Sequence, residues 1–193
     1  MLDVSQNISH AALDVQTVAG IARDVSGLIG DLRSDHAGET GAVAIYVGIL
    51  AITRDPDVRQ FAERHLATER DHLARLDALL SPHQRSVLLP LWTVAGWLTG
   101  ALPALLGADA VYATIDAVET FVDHHYEEQI RKLPEEGPSG VLRALLIACQ
   151  ADEVHHRDEA RIANAKIIGR VTRCWQWLVA KGSAAAVAAA RRV

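Results

Sequence analysis

The chain of 193 residues carries only two cysteines, Cys149 and Cys174. Two thiols are too few for a disulfide framework, and their spacing fits no thiolate metal site, so a reducing compartment is expected. Aromatic residues make up only 5%; with alanine abundant, this argues against a β-sandwich and favours helices. No alternating strand pattern and no glycine-rich phosphate loop occurs. No acidic residue follows Glu159, whereas Arg161, Lys166, Arg170, Arg173, Lys181, Arg191 and Arg192 do. A net charge of −5 for the whole chain therefore hides a basic end and an acidic remainder, which points to an anionic partner surface. The basic residues alternate with Trp, Leu and Val rather than forming a polar face, so a membrane surface is expected and a nucleic acid is not. The first residues lack the order of a secretory signal or transit peptide. That predicts a peripheral protein on the cytoplasmic face of a bacterial membrane.

One long stretch lacks charge altogether. From Ser86 to Ala108 no Asp, Glu, Lys or Arg occurs. By length alone this could cross a bilayer. Pro90, Pro103 and three glycines weaken that reading, and a single span would separate Glu69 and His72 from Glu119. The expectation is a helix lying in the membrane interface over 86–108, with Trp92 and Trp97 at headgroup level and forming the substrate entrance. The alternative is a wholly buried core helix.

What the chain does have is helical periodicity. Residues 1–30 carry an apolar stripe and predict an extra N-terminal amphipathic helix, packed on the body or binding a partner. The same phase continues through Leu32, His36, Glu39, Val43, Tyr46 and Leu50. Asp55-Pro56 marks the next helix start, with Asp as N-cap and Pro in the first turn. That helix has Phe61, His65, Glu69, His72 and Leu76 on one face. A further helix starts near Asp109 with Tyr112, Ile115, Glu119, Val122 and Tyr126. Gly137-Pro138-Ser139-Gly140 is expected to turn, and the last stripe holds Leu146, Cys149, Glu153, His156 and Ala160.

Each of four helices thus places a carboxylate on an apolar face: Glu39, Glu69, Glu119 and Glu153. Two add a histidine three residues on, His72 and His156, and positions i and i+3 share a helix face. The order Glu, Glu-x-x-His repeats, which indicates a duplicated helix hairpin. Four carboxylates buried together would mostly protonate unless compensated. Two divalent metals supply the balancing charge, and oxygen with imidazole donors suits iron or manganese. A four-helix bundle with this ligand set is the ferritin-like dinuclear pattern. Asp152, beside a ligand, is a candidate to orient a ligand histidine, with Asp35, Asp71 and Asp123 weaker ones. His36, His65, His124, His125 and His155 are read as surface or core residues, and Cys149 as a small core residue.

These residues carry a resemblance. Asp35-His36-Ala37-Gly38-Glu39, Ile45-Tyr46-x-Gly48, Glu69-x-x-His72, His124-His125-Tyr126 and Asp152-Glu153-x-x-His156 are similar to the signature of the demethoxyubiquinone hydroxylase family. Pro90-Leu91-Trp92 fits too. The match covers about residues 31–180, leaving 1–30 outside a bundle domain of 31–193 that ends in a basic C-terminal helix. The departures are Thr40, where the family has an aromatic or aliphatic residue, and Ile49, where it has Gln. The resemblance implies an all-α, ferritin-like di-iron enzyme of ubiquinone synthesis. It would hydroxylate the ring of a prenylated 3-demethoxyubiquinol with O2 as co-substrate, two iron ions and an external electron donor. Glu39, Glu69, His72, Glu119, Glu153 and His156 match the family's iron ligands, with Glu69 and Glu153 bridging. A homodimer and other proteins of ubiquinone synthesis are compatible partners. Rival readings are a ferritin-like iron-oxidising or storage protein and a non-enzymatic quinone- or lipid-binding module.

Overall fold

The computed structural model describes residues 28–164 and 169–193; the expected N-terminal helix lies almost wholly outside them. Among the described residues there are six α-helices and no strand: α1 (Ile29–Ile52), α2 (Pro56–Leu79), α3 (Leu89–Leu106), α4 (Ala108–Ile130), α5 (Gly137–Ala163) and α6 (Arg170–Ala190). A 3-10 turn, Pro82–Gln84, separates α2 from α3. The all-α expectation is met.

Local chemistry sets the boundaries. Asp55 caps α2 by accepting hydrogen bonds from the backbone N–H groups of Asp57 at 2.9 Å and Val58 at 3.2 Å, and Pro56 follows in the first turn. α3 and α4 meet at Gly107, whose φ of 107° lies in the left-handed region that a side chain would strain. Between α4 and α5 the turn occupies 131–136, not the expected Gly137–Gly140, which forms the first turn of α5. Pro there fits an N-terminal helical position because no intrahelical N–H is needed. α4 begins one residue before Asp109.

α1, α2, α4 and α5 form the four-helix bundle. α1 and α4 run antiparallel, since Tyr46 reaches Glu119 and Tyr126 reaches Glu39. α2 and α5 are antiparallel too, with Arg64 on Glu159 and His72 on Asp152. α3 is the long crossover between the two hairpins. It lies along α1 in parallel, Gly96 against the Gly41 carbonyl and Gly100 against the Ile45 carbonyl. α6 covers α1 and α4, running from a Trp175 Nε1–H···Thr114 Oγ1 bond of 2.8 Å to an Arg191–Asp31 ion pair of 2.9 Å.

Two apolar clusters lie at either end of the bundle. One contains Tyr46, Ile49, Phe61, Ile115 and Val118; the other contains Leu32, Leu76, Tyr126, Leu142 and Leu146. Each fully buried Leu or Ile stabilises by roughly 1.5–3 kcal/mol.

α3 is the one described helix long and apolar enough to cross a membrane. It is not the wholly buried core helix of the alternative reading: Leu91, Val94, Leu98, Leu102, Leu105 and Leu106 are exposed. Only its small-residue side, Gly96, Gly100, Ala101 and Pro103, is buried. A methyl group at Gly100 would stand 1.9 Å from the Ile45 carbonyl oxygen. Gly100→Ala should therefore destabilise the protein by about 1–3 kcal/mol through overpacking, although in an exposed helix the same change stabilises by about 0.5–1 kcal/mol. Thermal unfolding measures the sign; a rise in Tm would mean α1 and α3 are not in backbone contact.

Candidate metal centre

The six residues singled out by spacing converge midway along the bundle. Glu39, Glu69, His72, Glu119, Glu153 and His156 are all buried. They form two groups, Glu39–Glu69–His72–Glu153 and Glu69–Glu119–Glu153–His156, in each of which one donor atom per residue lies within 4.8 Å of the others. Glu69 and Glu153 belong to both. His72 Nδ1 stands 3.2 Å from Glu153 Oε1 and 3.8 Å from Glu39 Oε2. His156 Nδ1 stands 3.1 Å from Glu69 Oε1 and 3.7 Å from Glu153 Oε2.

The donor set fits a pair of divalent cations. Glu39 Oε2, both Glu69 carboxylate oxygens, Glu153 Oε1 and the Nδ1 atoms of His72 and His156 are buried with no hydrogen-bond partner. Orphaned acceptors at this density would be costly in a folded interior, because a buried, unpaired carboxylate loses several kcal/mol of hydration. The titration directions say the same. Burial first, and the Glu153 charge second, push the pKa of Glu39 up and those of Glu69 and Glu119 far up. Burial opposes the charged form of Glu153 as well, but the adjacent His156 and His72 imidazoles outweigh it and hold its pKa down. The cluster without cations is thus mostly protonated.

Neighbours hold the donors in place. Tyr46 donates to Glu119 Oε1 at 3.1 Å, and Tyr126 donates to Glu39 Oε1 at 2.5 Å. Each tyrosine lies seven residues after one of these glutamates and bonds the other. The sequence placed both tyrosines on their stripes without a role, although the repeated Glu-x6-Tyr spacing was the signal. Asp152 Oδ2 accepts a 3.0 Å bond from His72 Nε2, which fixes that tautomer and turns Nδ1 toward the carboxylates. The weaker candidates lie elsewhere: Asp71 pairs with Arg75 and Asp123 with Arg157. Asp35 binds His125 at 2.8 Å and Gln129 at 2.5 Å in a separate buried network. His36 pairs with Asp77 at 2.9 Å. His65, read as a surface or core residue, is buried with its ring 3.9 Å from that of His156. Burial and the adjacent His156 lower its pKa to about 3, so it is neutral.

The carboxylates open into a cavity of about 320 Å3 bounded by α1, α3, α4 and α6. Its wall is mainly apolar and small, with Gly38 and Gly41 on α1, Gly96 on α3, and Gly182 and Ala186 on α6. Trp92 lines it with its indole N–H buried, whereas Trp97 is 37% exposed on the outer side.

Residues 28–190 match the family described as Ubiquinone biosynthesis protein COQ7. The chain belongs to this family. The ferritin-like fold expected from the spacing is the COQ7 fold. A COQ7 relative from Rhodospirillum rubrum, named 3-demethoxyubiquinol 3-hydroxylase, is 42% identical over 130 residues, covering 66% of this chain and 60% of the relative. The human relative, named NADPH-dependent 3-demethoxyubiquinone 3-hydroxylase, mitochondrial, is 38% identical over 131 residues with the same coverage. The Rattus norvegicus protein of that name is 35% identical over 158 residues, 80% of this chain and 73% of the relative. The chain thus spans 60% of the length of the human and R. rubrum COQ7 relatives it matches.

The raised carboxylate pKa values have a sign. A group whose pKa is higher folded than unfolded stabilises below its unfolded pKa, and that stability is lost as pH rises through the folded value. Glu39, Glu69 and Glu119 act in this direction from the ordinary value of 4.5 upward; Glu153, held down, changes stability only below that value, and His65, lowered to about 3, opposes them up to its ordinary 6.5. The Tm of metal-free protein should fall between pH 5 and pH 8, and excess Mn(II) should flatten that slope by replacing protons. A metal-free Tm that rises with pH would contradict the buried-carboxylate assignment.

Proposed function

We propose that the protein is a di-iron monooxygenase that hydroxylates the ring of a prenylated 3-demethoxyubiquinol in ubiquinone biosynthesis. The observation that carries this reading is the opening of the Glu4His2 cluster into an apolar cavity. A storage or iron-oxidising protein needs a hydrophilic path to the carboxylates, and this wall is apolar. The names of the R. rubrum, human and rat relatives support the same reaction.

In this reading Glu39, Glu69, His72 and Glu153 would hold one ion and Glu69, Glu119, Glu153 and His156 the other, so Glu69 and Glu153 are the residues available to both. Two ferrous ions there would supply the electrons and open coordination positions that O2 activation requires. The chain's own residues do the rest. Tyr46 and Tyr126 keep Glu119 and Glu39 oriented, Asp152 keeps His72 in the ligating tautomer, and the two apolar clusters keep water out. The cavity takes the electron-rich ring beside the carboxylates, with room for the first prenyl units along the small-residue side of α6. Electrons come from a reduced nicotinamide, as the human relative's name indicates for that protein.

The outer leucines of α3 dip into the lipid interface. Trp177 and Leu178 on α6, exposed beside Arg170, Arg173 and Lys181, extend that surface onto anionic headgroups at about 1 kcal/mol per basic residue near the surface. A peripheral attachment gives a polyprenyl substrate a route that avoids water.

Purified protein should contain two irons per chain and convert the demethoxy quinol to its hydroxylated product under O2. Glu153→Ala, which removes a ligand shared by both ions, should lose the iron and the product together, as read by metal analysis and by chromatography of extracted quinones. Hydroxylation surviving in Glu153→Ala would remove this reading in favour of a binding module.

A further inference from the structure

The two halves of the cluster are related by the sequence repeat, so each residue about one half has a counterpart about the other. Glu69 and His72 correspond to Glu153 and His156. The residue before each glutamate is Thr68 in one half and Asp152 in the other, and the residue seven before each histidine is His65 in one and Cys149 in the other. At these two pairs the repeat is broken, and both breaks touch a ligand histidine. Asp152, on α5, accepts the His72 Nε2–H at 3.0 Å. Cys149 lies beside the same His72. Across the site, His156 has no carboxylate within 4 Å of its Nε2 among the described residues; both of its acidic neighbours, Glu69 and Glu153, face Nδ1.

His65 takes up the space on that side. Its ring meets the His156 ring edge-on at 3.9 Å and 64°, and is itself held by Phe61 at 4.3 Å. Its Nε2 lies 2.9 Å from Glu159 Oε2. Glu159 is gripped by Arg64. One ligand imidazole is therefore backed by a hydrogen-bonded carboxylate, the other by a ring contact. Charge donated through the Asp152 bond makes the His72 imidazole the stronger ligand, whereas His65 restrains rotation of His156 without adding charge.

We propose that the two metal positions are inequivalent: Asp152 makes the position at His72 the tighter one, which fills first, and His65 is the positioning residue for the weaker position through His156. The proposal rests on the dinuclear reading above, and metal binding to the metal-free full chain separates the two.

Co(II) is the probe, followed by calorimetry and by its visible absorption. Two ions sharing Glu69 and Glu153 repel, so stepwise filling occurs even in a symmetric site, and the variants decide. In Asp152→Asn the first step should weaken about 10- to 100-fold. In a symmetric site the untouched position would fill first instead, and the first step would not change. His65→Leu should leave the first step as it is and weaken the second. Thr68→Asp, which puts a carboxylate at the position the repeat equates with Asp152, should tighten the second step toward the first without loss of fold.

An unchanged first step in Asp152→Asn, or a second step indifferent to both His65→Leu and Thr68→Asp, overturns the inequivalence. Should Asp152→Asn fail to fold, the Thr68→Asp titration decides alone. Fewer than two ions bound to the unaltered protein overturns the dinuclear reading itself.

Discussion

Four carboxylates in a dry interior are the constraint from which the rest of this structure follows. An apolar stripe interrupted by one glutamate is tolerable only if the glutamates of several helices meet, because a lone buried charge costs several kcal/mol. Meeting requires the four helices to share one level, which the exchanged Tyr46–Glu119 and Tyr126–Glu39 bonds enforce between α1 and α4. The histidines then face the carboxylates from α2 and α5. The apolar clusters at the two ends hold the helices together while contributing nothing polar to the centre.

A duplicated hairpin is an economical way to reach that arrangement, since one solution to the burial problem serves both halves. Duplication also makes departures visible. Asp152 against Thr68 and His65 against Cys149 stand out because the four glutamates, the two histidines and the two tyrosines obey the repeat.

The bundle and its buried Glu/His cluster were legible because they rest on strong local signals. Glu39 and Glu119 break apolar stripes, Glu69-x-x-His72 and Glu153-x-x-His156 repeat, and Asp55-Pro56 spells a helix start. Other parts were not legible for physical reasons. The cavity-facing side of α6 begins with Trp175, Leu178 and Val179 but continues mainly as Gly182, Ser183, Ala186 and Ala190, so small residues dilute the stripe and the tail gave no sign of roofing a cavity. The stripe put His65 on the buried face of its helix, but not its role, since the contact that gives it meaning comes from a helix about ninety residues away. The turn before α5 was displaced because glycine and proline mark helix starts as readily as loops.

The contact between α1 and α3 bears on traffic. Gly96 and Gly100 sit directly on the carbonyls of Gly41 and Ile45, so no ligand passes between these two helices without parting their backbones. α3 is also joined to α4 by a single residue, Gly107. A hydrophobic molecule arriving at the leucine-rich outer surface is therefore turned away from both of these junctions. The remaining border of the cavity on that side is the seam between α3 and α6, where neither helix is pinned to the other by a glycine contact and where Gly182, Ser183 and Ala186 follow the larger Trp175, Leu178 and Val179. Close packing is thus confined to one side of the crossover helix.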